Sequence, residues 1–142
     1  MVILAAVDRS NRAKDVVKEA AELARAFEEP LRIVHVMTRR EFLDIETTSV
    51  KRDNSPVGLD KIRAEAARQA ENAASEINCS YETVGRVGDV SAEVTRYAEE
   101  QGVRYIVVGG RKRSPAGKAV FGSKTQSILL EADCPVVAIM GG

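Results

Sequence analysis

The sequence predicts a doubly wound α/β domain: five parallel strands in one sheet, ordered 3-2-1-4-5, with helices on both faces. Three observations carry this expectation. Five short apolar runs recur along the chain, and segments with helical spacing separate them. The runs at 2–7, 31–37 and 135–140 are nearly continuous rather than alternating, as expected of strands covered on both faces. Strands joined through helices pair in parallel, and their right-handed crossovers wind a sheet outward from its centre.

The elements follow in order. Val2 to Val7 is the first strand. Residues 11–28 place Ala13, Val16, Val17, Ala20, Leu23, Ala24 and Phe27 at spacings of three and four, the signature of an amphipathic helix. Ser10 is its expected N-cap and Pro30 its stop. Leu31 to Met37 is the second strand. Residues 38–57 mix charged side chains with Thr47, Thr48, Ser49, Ser55 and Pro56, and the expectation there is a mobile loop. Helical spacing resumes near Leu59, with Ile62, Ala66, Ala70, Ala73 and Ile77 on one face.

Ser80 to Val87 is a weaker strand that belongs near an edge. Asp89 is the expected N-cap of a helix over 90–101, with Val90, Val94, Tyr97 and Ala98 inward, and Gly102 closes it. Arg104 to Val108 is the fourth strand. A glycine-rich cationic loop follows over 109–122, then a short helix over 123–132 and a final strand, Pro135 to Met140. No repeat or linker divides the chain, so residues 1–142 read as one Rossmann-like domain.

Composition narrows the function. A chain of 142 residues with 44% apolar content can bury an ordinary core without disulfides. Acidic and basic residues balance at 21 each, which argues against a nucleic-acid binder. Cys79 and Cys134 lack metal-ligand spacing and read as small core residues. The apolar N-terminal run is too short for a signal segment, and no stretch approaches the length of a membrane span. The expectation is a soluble cytoplasmic protein with no membrane partner.

In doubly wound sheets, ligands sit at the carboxyl ends of strands where the winding reverses. Those ends carry Asp8, the pair Val36 and Met37, and the loop that begins at Gly109. Residues 109–125 hold five cations (Arg111, Lys112, Arg113, Lys118 and Lys124) and no acid. The helix start at Ser123 adds unpaired amides and the positive end of a dipole, so the segment suits a phosphate. A glycine-rich turn with solvated Lys and Arg is the competing reading. The loop is neither a Walker motif nor a G-x-G-x-x-G fingerprint. A single Asp8 at the end of the first strand also disfavours a receiver-type phosphoacceptor domain.

Several blocks together resemble the universal stress protein family over nearly the whole chain. They are Val7-Asp8-x-Ser10, His35-Val36, Gly85-x-x-Gly88-Asp89, Val107 to Arg111, Phe121-Gly122-Ser123 and Ala132 to Val137. In the ATP-binding branch the loop reads Gly-x2-Gly-x9-Gly-[Ser/Thr]. Here Gly109 matches the first glycine, and Gly122-Ser123 matches the final pair across the spacer 113–121. Lys112 stands where the second glycine would be.

The resemblance implies an adenine nucleotide, ATP, with Asp8 and the backbone of Val36 holding base and ribose beside Ala6 and Val7. It implies a phosphate grip from Val108, Gly109, Arg111, Lys112, Gly122, Ser123, Lys124 and Thr125, with any Mg²⁺ bound through the phosphates. It also implies a homodimer through strand 135–140, whose apolar edge invites pairing. For Asp8 a helix-start carboxylate is the competing reading, and for Ser123 a plain N-cap. His35, the one histidine, reads as a packed core residue. No Ser/His/Asp set can be assembled, so an enzymatic reading reaches no further than a slow ATPase. An interaction module of the same fold that binds no nucleotide is the other alternative.

Overall fold

The computed structural model describes residues 1–44, 47, 58–110 and 121–140. Strands β1 (Val2–Val7), β2 (Leu31–Met37), β3 (Glu82–Val87), β4 (Val103–Gly109) and β5 (Val136–Ile139) form one parallel sheet. Their order is β3-β2-β1-β4-β5, the expected one. Helices α1 (Ala13–Phe27), α2 (Leu59–Ala73), α3 (Val90–Gln101) and α4 (Ser123–Glu131) connect them.

The two-residue alternation of the strands builds two cores from one sheet. Ile3, Ala5 and Val7 of β1 face α1 and α2, where Val16, Val17, Ala20 and Ala70 are buried. Val2 and Leu4 face the other way, onto Val94, Tyr97 and Ala98 of α3 and Ile128 of α4. The connections leaving β1 and β2 thus cover one face, and those leaving β3 and β4 cover the other. The winding reverses between β1 and β4, and a cleft opens above their carboxyl ends.

Helix α2 sits close to the sheet. Its buried face is Ile62, Ala66, Ala70 and Ala73, and small side chains permit the approach. At β3 the approach needs Gly85: a Cβ there would overlap the Arg63 carbonyl oxygen and lie 2.7 Å from the Ala67 nitrogen.

Most helix ends follow local chemistry. Asp89 caps α3, its carboxylate accepting from the Ala92 amide at 3.0 Å. Gly102 ends α3 at φ +64°, a conformation that glycine enters without a Cβ penalty. Helix α1 departs from expectation at both ends. Its N-cap is Arg12 rather than Ser10. Asp8 Oδ1 accepts from the Ser10 amide at 2.8 Å, and Ser10 Oγ accepts from the Arg12 amide at 3.3 Å. These two side-chain turns occupy residues 8–12 and delay the helix. At the far end α1 stops before Pro30, because Glu28 turns the chain at φ 53°. For α4 the N-cap is Gly122, which leaves Ser123 as the first helical residue.

The loop expected over 38–57 is corrected at its start, where residues 39–44 are helical. Thr38 and Glu41 explain the turn. Thr38 Oγ1 accepts from the Glu41 amide and its hydroxyl donates to Glu41 Oε1, both at 3.3 Å. This is one half of a capping box, with the Glu41 carboxylate returning to the Thr38 hydroxyl in place of the Thr38 amide. Residues 45, 46 and 48–57 lie outside the described residues, and with them the expectation of mobility there.

Both cysteines are free and half-buried, Cys79 against one core and Cys134 against the other. Burial pushes the Cys134 thiol up from its ordinary value, which suits a packing residue rather than a nucleophile. Among the described residues no helix is long and apolar enough to cross a membrane.

Candidate functional site

Sequence order alone scatters the candidate residues over more than a hundred positions. The sheet gathers them, because β1 pairs with both β2 and β4. A cavity of about 510 Å³ lies over the carboxyl ends of these three strands. Its size falls within the range of small-molecule sites.

One wall is apolar. Val34 and Val36 of β2, Val90 and Val94 of α3, Val108 of β4 and Ile128 of α4 form it. A flat heteroaromatic ring would lose water there at little polar cost. The rim carries Asp8, exposed at the end of β1, whose Oδ1 accepts from the Ser10 amide.

The opposite end of the cavity is the start of α4. Gly122, Ser123, Lys124 and Thr125 line it together with Gly109 and Gly110. The first intrahelical bond runs from the Gln126 amide to the Gly122 carbonyl at 2.9 Å. The amides of residues 123–125 precede that bond and have no helical acceptor. Thr125 Oγ1 donates to the Gly109 carbonyl at 2.9 Å. Its hydroxyl proton therefore ties the first turn of α4 to the end of β4. For Thr125 this leaves the backbone amide, rather than the hydroxyl proton, as the donor toward an anion. Gly110 extends the pairing with β5 through its amide to the Ile139 carbonyl at 2.8 Å.

Ten of the residues singled out from sequence therefore line one cavity: Ala6, Val7, Asp8, Val36, Val108, Gly109, Gly122, Ser123, Lys124 and Thr125. Arg111 and Lys112 lie outside the described residues. Sequence reasoning missed the third wall, formed by Arg12 and Val16 of α1, His35 of β2 and Glu41 of the 39–44 turn. His35 is buried, as a core histidine should be, yet the residue also lines the cavity. Glu41 was legible only through the Thr38-x-x-Glu41 spacing.

Comparison with known proteins agrees with this architecture. The chain is 28% identical over 144 residues to universal stress protein YxiE of Bacillus subtilis, covering 96% of this chain and 97% of that protein. Among solved structures, a universal stress protein from Archaeoglobus fulgidus matches with a TM-score of 0.62 and 26% identity, covering 98% of each chain. The universal stress protein from Archaeoglobus fulgidus in complex with dAMP matches with a TM-score of 0.59 and 23% identity, covering 98% of this chain and 97% of that one. The universal stress protein family model matches residues 1–139, and with the sheet order and cleft described above this chain belongs to the universal stress protein family.

Proposed function

We propose that this protein binds an adenine nucleotide, ATP in the first instance, in the cleft between β1 and β4. One observation carries the reading: an apolar wall, an exposed aspartate and the open amides of a helix start share a single cavity of about 510 Å³. Base, sugar and phosphate each need one of those three surfaces. Val36 and its neighbours take the ring, Asp8 accepts from a ribose hydroxyl, and Gly109, Gly122, Ser123 and Lys124 face the phosphates. Arg111 and Lys112 add positive charge to the same loop in the sequence. The dAMP bound by the Archaeoglobus fulgidus protein supports an adenine nucleotide as the ligand class.

Mg²⁺ would arrive on the phosphates. Among the described residues no group of three or more His, Cys, Asp or Glu side chains stands ready to hold a metal. The output of such a protein is ligand-dependent shape or partner binding rather than turnover.

The test is mass spectrometry of whatever the protein releases on denaturation after purification, followed by calorimetric titration with ATP. A co-purified adenine nucleotide, or a saturable heat at millimolar ATP or below, is the expected result. A flat titration ends the reading.

Self-association belongs to the same proposal. β5 is an edge strand, and Val136 to Ile139 are only partly buried within one chain. A second copy would cover that edge about a two-fold axis. Sedimentation at micromolar concentration should report twice the 15.4 kDa chain mass. A species of single-chain mass would remove the dimer.

A further inference from the structure

His35 is the single histidine of the chain and is 2% exposed. Its Nδ1 lies 2.9 Å from the Val7 carbonyl oxygen. A carbonyl only accepts, so Nδ1 carries the hydrogen. In the neutral ring Nε2 is then a bare acceptor. That atom is buried without a hydrogen-bond partner, and 4.0 Å away stands Glu41 Oε2, also buried without a hydrogen bond and paired only at 3.8 Å with Arg9 Nε. Two acceptors face each other in the wall of the cleft, an arrangement that burial makes costly.

We propose that His35 and Glu41 form a proton-operated latch that regulates the cleft. A proton taken from solvent by Nε2 converts the opposed acceptors into a donor and an acceptor of opposite charge. The atoms close by about 1 Å to the 2.7–2.9 Å of a charge-assisted bond. Both orphaned atoms are satisfied in one step. The latch is made with the protonated ring and is lost when the ring gives up that proton.

The surroundings pass that event to the cavity. Glu41 is held by Thr38 through its other oxygen, so the 39–44 turn moves with it. Arg9 lies 3.8 Å from the same Glu41 oxygen and follows Asp8 directly in the chain. The bond from Nδ1 anchors the ring to the residue just before Asp8. Other charges near His35 come from each packed element. Arg12 of α1 lines the same cavity, and its Nη1 is also buried without a partner. On α2, Glu65 is held below the usual carboxylate range mainly by its hydrogen bond from Arg68, with Arg9 adding to the effect. Arg63 of α2 is exposed, and Arg86 of β3 turns away over the Tyr97 ring. Arg39, Arg40 and Asp44 complete the charges of the 39–44 turn. Protonation adds one positive charge to a wall that already carries Arg9 and Arg12, and so favours an anionic occupant.

The control of ligand affinity rests on the nucleotide reading above, whereas the latch itself does not, and the experiment separates them. The lone histidine gives one unambiguous NMR signal. At pH 5.5 the wild type should show a slowly exchanging Nε2–H, and its Glu41 amide should exchange about tenfold more slowly than in Glu41→Gln, as for loss of a charge-assisted bond. At pH 8 the wild type should no longer be the more protected of the two. An imidazole that stays neutral at pH 5.5, or one that gains its proton without protecting Glu41, overturns the latch.

The second arm uses cyclic AMP, a phosphodiester whose single charge is constant over this range. Its affinity should rise about threefold or more from pH 8 to 5.5, as one added charge several ångströms away predicts. His35→Asn, which keeps a donor for Val7 but does not titrate, should show no such rise. Equal affinity of the wild type at both pH values overturns the link to the cleft. Absence of cyclic AMP and ATP binding at either pH overturns the nucleotide reading and leaves the latch to stand on the NMR result.

Discussion

Replacing Gly85 with alanine should destabilise the protein by about 3 kcal/mol and lower its thermal midpoint by roughly 10 °C. The cause is a backbone contact. Gly85 lies in β3 opposite His35, with α2 directly above it. An added methyl group meets the Arg63 carbonyl and the Ala67 amide nitrogen, which belong to the helix backbone and cannot rotate aside. The helix must lift from the sheet. Lifting α2 opens the seam between Ile62, Ala66 and Met37, all of them buried. Differential scanning calorimetry of Gly85→Ala beside the wild type measures the change. Gly109→Ala is the control, because a Cβ there would meet nothing closer than Val16 Cγ2 at 3.4 Å. A Gly85→Ala midpoint within 2 °C of wild type would show that α2 is free to shift.

Asp8→Ala should weaken ATP about 10- to 100-fold, the cost of losing charge-assisted hydrogen bonds. The fold should persist. Asp8 is exposed, and its one structural bond, to the Ser10 amide, organises a turn rather than a core. Asp8→Asn keeps an acceptor for that amide and loses only the charge, so it should fall between alanine and wild type. Calorimetric titration of the three proteins, with far-ultraviolet circular dichroism as the folding check, measures both effects. Unchanged ATP affinity in Asp8→Ala would remove the aspartate from the site. A weakened affinity matched by a lost helical signal would mean that Asp8 acts through the fold.

Much of this architecture is written locally. The apolar stretches of β1 and β2 appear in the sequence with the same bounds as in the structure, since continuous burial needs continuous apolar side chains. The caps of α3 were legible because Asp89 and Gly102 act within a few residues of themselves. Ser10 misled because its hydroxyl serves a turn begun by Asp8: the two short polar side chains take successive amides, those of Ser10 and Arg12, before the helix begins. The turn at 39–44 was hidden by its charge: Arg39, Arg40 and Asp44 present no apolar stripe, and only Thr38 and Glu41 mark its start.

The same division runs through the candidate site. Asp8, Gly109 and Ser123 could be named from the sequence, because strand ends and helix starts have known chemistry, and their meeting required only that β1 and β4 be neighbours. For Asp8 the family resemblance was needed to favour a ligand over a helix-start carboxylate. The third wall was decided only in three dimensions. His35 reaches the Val7 carbonyl across 28 positions of chain, and its free nitrogen faces Glu41 through the packing of a short turn against the end of β2. No periodicity records such a pairing. A side chain's orientation at a junction of elements follows from how they pack, whereas the elements themselves follow from where their apolar residues fall.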